Sequence, residues 1–508
     1  MRDGLRRREF LIGAGASWLA AALPRGAWAA TQATAGDPVA RAFAEALPER
    51  PWLLAFANVE REAFESEVPW RTGALPEGLA GSFYRNGPAR HEVAGERYHH
   101  SFDADGVVQA FRLAPGGVRH QARLIETRKV AIERAAGRRL VEGFGTPAAP
   151  GHASKGNTEQ NVANISVIWH ADRLLALWEA GDAYAIDPST LDTEGPHHWS
   201  PETAGMPFSA HPRQEPDGTM WNFGSVPWMQ KLVLYRISKT GVLEKVHVLD
   251  LAHPGMIHDF VVTERHLVFL IPPLLFQPDS QAGTFLERHV WDGSQPLRVL
   301  VIDKSDFSRQ RWLEAPTSFV FHFGNAWEES NGTIHLDFCR HPNADVVFGG
   351  LRDVMWGKAL ESDDPLVSRM TIAPGSGGVR EDIGIETGEF PNVDPRRIGR
   401  RYQHVVTLGR SGRPNPRHPQ LDTLVRHDLD DGGTESWTYP ETVMPEEHVV
   451  VPGPGEAPGW IVGTGLDFER RANQIAIFDE EHVADGPIAT ARLPYWLPMG
   501  LHGRFVPG

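Results

Sequence analysis

From Gly81 to the C-terminus the chain has almost no helical periodicity. Its apolar residues come in short β-rich runs such as "LVLYRIS", "HDFVVTERHLVFLI", "LRVLVID" and "QIAIFDEE", separated by Gly, Pro, Asp and Asn turns. The 51 Gly and 40 Pro among 508 residues supply the breaks that such a pattern needs. Many short strands at regular spacing predict an all-β sandwich, barrel or propeller. The phrase strand, Asp, Pro or Lys, turn recurs in "AYAIDPSTLDTEG", "VLVIDKSDF" and "IAIFDEEH", which suits propeller blades. Seven blades would take about 68 residues each, above the roughly 40 to 50 of compact blade repeats, so the surplus would form long loops on one face. No linker or low-complexity block divides residues 80–508, which therefore read as one domain.

Residues 1–29 differ. Three arginines (Arg6, Arg7, Arg8) precede a Gly/Ala-rich apolar run that ends in Ala27-Trp28-Ala29, a small-x-small cleavage pattern. Arg7-Arg8-Glu9-Phe10-Leu11 resembles the twin-arginine export motif, which moves proteins already folded and loaded with cofactor. A periplasmic location is expected. Residues 30–75 form a Pro-rich lead and 76–508 the catalytic domain. With 23% charged and 41% hydrophobic residues the chain is globular, and its net charge of −15 speaks against a nucleic-acid partner. The single cysteine, Cys339, excludes an internal disulfide and cysteine-built zinc sites.

Four histidines share one setting, entering or sitting within a strand-like run beside small or polar turn residues. They are His211 in "MPFSAHPRQEPDG", His258 in "HPGMIHDFVVTE", His322 in "FVFHFGNAWEE" and His502 in "PMGLHGRFVPG". Their separations fit no local metal motif. A radial fold, in which each blade sends one side chain to a central axis, would bring them together. Four neutral imidazoles would hold a divalent first-row metal, and six-coordinate iron would keep two positions open. Each imidazole then needs an acceptor for its other N–H, normally a carboxylate. Lone glutamates at strand ends are candidates: Glu179 in "LLALWEAGDAY", Glu389 in "TGEFPNVDPRR" and Glu456 in "GPGEAPGW". Asn325 and Glu328 read as loop-shaping residues, and His99, His100, His170, His197 and His198 as surface or packing residues.

Taken together, "GSFYRNGPARH" (81–91), "YHHSFDADGVVQAFRL" (98–113), "NVANISVIWHADRLLALWEAGDAYAIDPSTLDTEG" (161–195) and "LPMGLHGRFVPG" resemble the carotenoid cleavage oxygenase family over nearly the whole mature chain. The resemblance implies a seven-bladed β-propeller with long loops and short helices over one face. It further implies a non-haem Fe2+ held by residues matching His211, His258, His322 and His502, with Glu179, Glu389 and Glu456 behind them. Relatives usually read Glu-Asp-Asp-Gly where this chain has Glu456-Ala457-Pro458-Gly459, and Phe-Asp-Gly-Asp-Gly where it has Phe102-Asp103-Ala104-Asp105-Gly106.

The chemistry so implied is addition of O2 across a carbon–carbon double bond, giving two carbonyl products. No G-x-S-x-G elbow or H-E-x-x-H motif competes with it. Stilbene-cleaving members carry a lysine immediately before the first glutamate. Here that residue is Trp178, which favours a carotenoid or apocarotenoid and places Trp178 in the substrate tunnel. Alternatives are a stilbene-type dioxygenase, a polyene isomerase, or a carotenoid-binding propeller without turnover. "FLIPPLLFQ" (269–277) could line a tunnel mouth or dip into a membrane, against the plainer reading of a buried strand with a proline turn.

Overall fold

The computed structural model describes residues 36–59, 61–251, 255–280, 283–359, 361–375, 377–412 and 414–508. The export motif and cleavage site lie outside them. Seven antiparallel sheets of four or five strands follow one another along the chain, with two two-stranded ribbons beside them. Blade 1 contains Ala63–Val68, Gly81–Arg90, Asp105–Ala114 and Gly117–Leu124. Blade 2 spans 166–197, blade 3 213–250, blade 4 261–315, blade 5 319–382, blade 6 389–438 and blade 7 443–492. Their innermost strands meet one another around a central axis.

The ring is closed twice. Gly503–Pro507 adds to blade 1 beside Gly81–Arg90, and Thr72–Gly73 adds to blade 7 beside Ala489–Arg492. The propeller thus begins before residue 76, since Ala63–Val68 already pairs with Gly117–Leu124. The boundary expected at residue 76 lies too late, because two short, polar, largely exposed strands carry little apolar signal. Among the described residues no helix is long and apolar enough to cross a membrane.

The core lies between blades. Trp221, Phe223, Leu232 and Leu234 of blade 3 face Phe260, Leu267, Phe269 and Leu300 of blade 4, and comparable layers join blades 4 to 5 and 7 to 1. Middle strands are covered on both faces, so they read as continuous apolar runs such as "HLVFLI". Outer strands such as Thr434–Thr438 face solvent on alternate residues and read as polar. Burying one such Phe or Leu contributes about 1.5–3 kcal/mol. The run 269–277 belongs to this core: Phe269, Leu270, Ile271, Leu274 and Phe276 are buried, so the plain reading holds and the membrane-dipping one does not.

Candidate metal centre

His211, His258, His322 and His502 converge on the axis, the one group of its kind among the described residues. Each comes from a different blade. His211 stands two residues before the inner strand of blade 3, His258 three before that of blade 4 and His502 immediately before the closing strand of blade 1, while His322 lies within the inner strand of blade 5. That strand, Phe319–Glu328, slips register between Val320 and Phe323, so two residues lie outside the ladder where the partner strand has one. His322 sits in this bulge, which turns it off the sheet and towards the axis.

Three carboxylates stand behind the histidines. Glu179 of blade 2 pairs with His258 Nδ1. Glu389 Oε2 of blade 6 accepts from His322 Nδ1 at 2.5 Å, and Glu447 Oε1 of blade 7 accepts from His502 Nδ1 at 2.9 Å. Seven blades therefore contribute seven residues, one each. Glu389 and Glu447 also sit at bulges, where their inner strands carry one extra residue against their partners.

Glu456 is not among the seven. Its side chain is 78% exposed and pairs with Arg397, in the turn after the inner strand of blade 7. Glu447 occupies the place expected for it. The bulge between Pro445 and His448 breaks the strand alternation in "MPEEHVVV", and this hides Glu447 from a reading based on period 2.

Two further residues keep the axis in register. Arg213 reaches from blade 3 to Asp259 and to the backbone oxygens of Phe260, Phe323 and Gly324. Asp259 in turn accepts the Phe323 N–H at 3.0 Å. The strands bearing His211, His258 and His322 are thereby tied together. Asn325 bonds Arg397 and Gly399, and Glu328 bonds Arg265 and His266, so both shape loops as their sequence suggested.

Electrostatics suit a cation. Burial and the three neighbouring rings hold His211 well below the usual histidine range. Burial also lowers His322, against the opposing pull of Glu389. For His258 burial pushes down, but Glu179, joined by Asp259 and Glu389, outweighs it and the net shift is upward. Glu389 is pushed up by burial and held down more strongly by His322 and His341. With Nδ1–H given to a carboxylate, the Nε2 of His258, His322 and His502 carries a bare lone pair towards the axis.

The Nε2 atoms of His211 and His258 are 3.0 Å apart, and those of His258 and His322 3.3 Å. Nitrogens this close need a shared proton or a cation between them. Ligands roughly 2.1 Å from a shared ion stand about 3 Å apart, so the donor set fits a divalent metal.

Two cavities meet at the centre, both touching Phe102, Ile165 and His258. One is walled by Phe144, Trp178, Phe223, Met256 and Phe285, which puts Trp178 on its wall. The other is walled by Phe56, Phe321, Val346, Phe390 and Leu421, and reaches Asp364 and Arg410. Asp103 anchors the loop over the first cavity by accepting from the Phe144 and Gly145 N–H groups and the Thr146 hydroxyl. Burial raises the Asp103 pKa to about 6, against these bonds. The "FDADG" stretch is thus a loop anchor.

A seven-bladed propeller with four axial histidines in the path of an apolar passage defines an oxygenase of the carotenoid-cleavage type. The chain belongs to the retinal pigment epithelial membrane protein family, which it matches over residues 56–507. It is 29% identical to the apocarotenoid-15,15'-oxygenase of Synechocystis, over 89% of this chain and 96% of that protein. It is 26% identical to an isoeugenol monooxygenase of Pseudomonas nitroreducens, over 91% and 98% respectively. The structure of cobalt-substituted Synechocystis apocarotenoid oxygenase superposes with a TM-score of 0.80 at 25% identity, covering 90% of this chain and 98% of the other.

Proposed function

We propose that the protein is a non-haem Fe2+-dependent dioxygenase that cleaves one carbon–carbon double bond of an apocarotenoid or carotenoid. The balance is R–CH=CH–R′ + O2 → R–CHO + R′–CHO, with both oxygen atoms ending in products. His211, His258, His322 and His502 would hold the iron, and Glu179, Glu389 and Glu447 would keep the imidazoles in the ligating tautomer. Bound Fe2+ supplies the activation of O2. The carrying observation is the position of the cluster at the junction of two apolar cavities.

The chain's own residues bind and align the alkene. Trp178, Phe223 and Phe285 on one side, and Phe321, Phe390 and Leu421 on the other, exclude water and fix which double bond lies at the centre. Trp178 stands where a cation would be needed to grip a phenolate, which supports the polyene reading.

Ser225 Oγ is buried without a hydrogen-bond partner among the described residues and lines the cavity that holds Trp178. A substrate oxygen would satisfy it, either the carbonyl of an apocarotenal or, in the alternative reading, a phenolic oxygen of an aryl alkene.

The test is anaerobic purification with metal analysis, then incubation in air with an apocarotenal and with a hydroxystilbene, scored by mass spectrometry with 18O2. Paired aldehydes labelled from 18O2, from the apocarotenal alone, are expected. Products from the stilbene alone would move the assignment to aryl alkenes, an isomer without oxygen would make the protein an isomerase, and absence of iron would make it a binding propeller.

We also propose export by the twin-arginine route to the periplasm, on the strength of Arg7-Arg8. Replacing both by lysine should leave the protein in the cytoplasmic fraction, and unchanged fractionation would reject the route.

A further inference from the structure

Among the buried histidines outside the four on the axis, His341 stands beside the cluster. His341 ends the second strand of blade 5, Ile334–His341, opposite Phe319, and is 3% exposed. Its ring stands edge-on to those of Phe319 and Phe321, at centroid distances of 5.8 and 5.6 Å. These phenylalanines precede His322 on the adjacent strand, so packing fixes the His341 rotamer beside the metal arm.

Its Nε2 lies 3.0 Å from Glu389 Oε1, while the other oxygen of that carboxylate accepts from His322 Nδ1 at 2.5 Å and from the Phe390 N–H at 2.7 Å. The other two carboxylates are held differently. Glu447 divides its oxygens between His502 Nδ1 and the Gly503 N–H. Among the described residues Glu179 meets only His258. Only Glu389 takes an imidazole on each oxygen. Without the His341 bond, one buried carboxylate oxygen loses its donor, and the group gains freedom to rotate away from His322.

We propose that His341 is a positioning residue: by holding Glu389 from behind, it keeps the Nδ1–H of His322 on the carboxylate and the Nε2 lone pair on the axis. The inference rests on reading the four histidines as a metal site. Outer partners of metal-binding histidines typically matter 10- to 100-fold in affinity. His341 also walls the second cavity, so its loss could act on substrate alone, and the test must read metal directly.

The experiment titrates metal-free protein with Co2+ under anaerobic conditions, following the visible spectrum, for wild type, His341→Met and His341→Gln. The two variants are near-equal in volume, and only Gln keeps an N–H donor. Expected are Co2+ binding at least about tenfold weaker with an altered spectrum in His341→Met, and recovery to within about threefold of wild type in His341→Gln. Equal affinities in all three proteins would overturn the proposal, as would equal losses in the two variants or failure of both to fold, since each would make His341 a packing residue. No Co2+ binding by the wild type would instead reject the metal reading itself.

Discussion

Two buried polar clusters in this propeller are built from similar groups and behave oppositely. Against blade 1, Lys129 bonds Asp105 and Glu133 at 2.8 and 3.3 Å, Tyr98 donates to Glu133 at 2.6 Å, and Arg90 donates to Asp105 at 2.8 Å. Two cations meet two carboxylates, and Glu133 also receives the Leu140 and Val141 N–H groups. That cluster is complete. On the axis, three carboxylates face four imidazoles whose inner nitrogens point at one another. The cluster holds imidazoles and carboxylates only, with no lysine or arginine among them. A buried polar group that its neighbours satisfy is part of the scaffold, whereas one left open at a cavity marks where a ligand belongs.

The contrast can be broken at either end. The largest effect is expected for His258→Ala: bound iron and cleavage should fall below detection while circular dichroism keeps the β-propeller signature. Stoichiometric iron in that variant would sink the four-ligand assignment. Lys129→Met should do the reverse. Removing one partner of a buried ionic set typically costs 3–5 kcal/mol, seen as a lower urea midpoint, with metal content per folded molecule unchanged. Loss of metal there would show that the two clusters are coupled.

Chelation should lower the melting temperature of the wild type, since a ligand at 100 times its Kd stabilises by about 2.7 kcal/mol. His258→Ala should not respond to the chelator. Glu447→Gln should weaken metal binding by about 10- to 100-fold, measured by Co2+ titration. Glu456→Gln should leave affinity and activity unaltered, and an effect as large as that of Glu447→Gln would restore Glu456 to the site.

Much of this was legible in the residues. The alternating outer strands and apolar middle strands follow from which faces are covered, so period and run length read directly as an all-β fold. His211, His258 and His502 stand at strand entries marked by Pro or Gly, and Glu389 opens a strand. Glu447 gives no such signal because a bulge cancels the alternation around it, whereas Glu456, an isolated glutamate in a Gly/Pro turn, has the look of a strand end. His341 gave no signal at all, since nothing in "DFCRHPN" tells a strand-end histidine near the axis from one at the surface.

The sequence by itself determined that the chain makes short strands in series, which histidines enter them, and that no internal disulfide or cysteine-built zinc site can form. These are local matters of period, turn residues and side-chain type. Only the tertiary structure decided which carboxylate stands behind which imidazole. That pairing joins residues 55 to 79 positions apart from different blades, and at His322, Glu389 and Glu447 it depends on bulges that re-aim the side chain. Closing the ring around the axis is what turns seven scattered residues into one site.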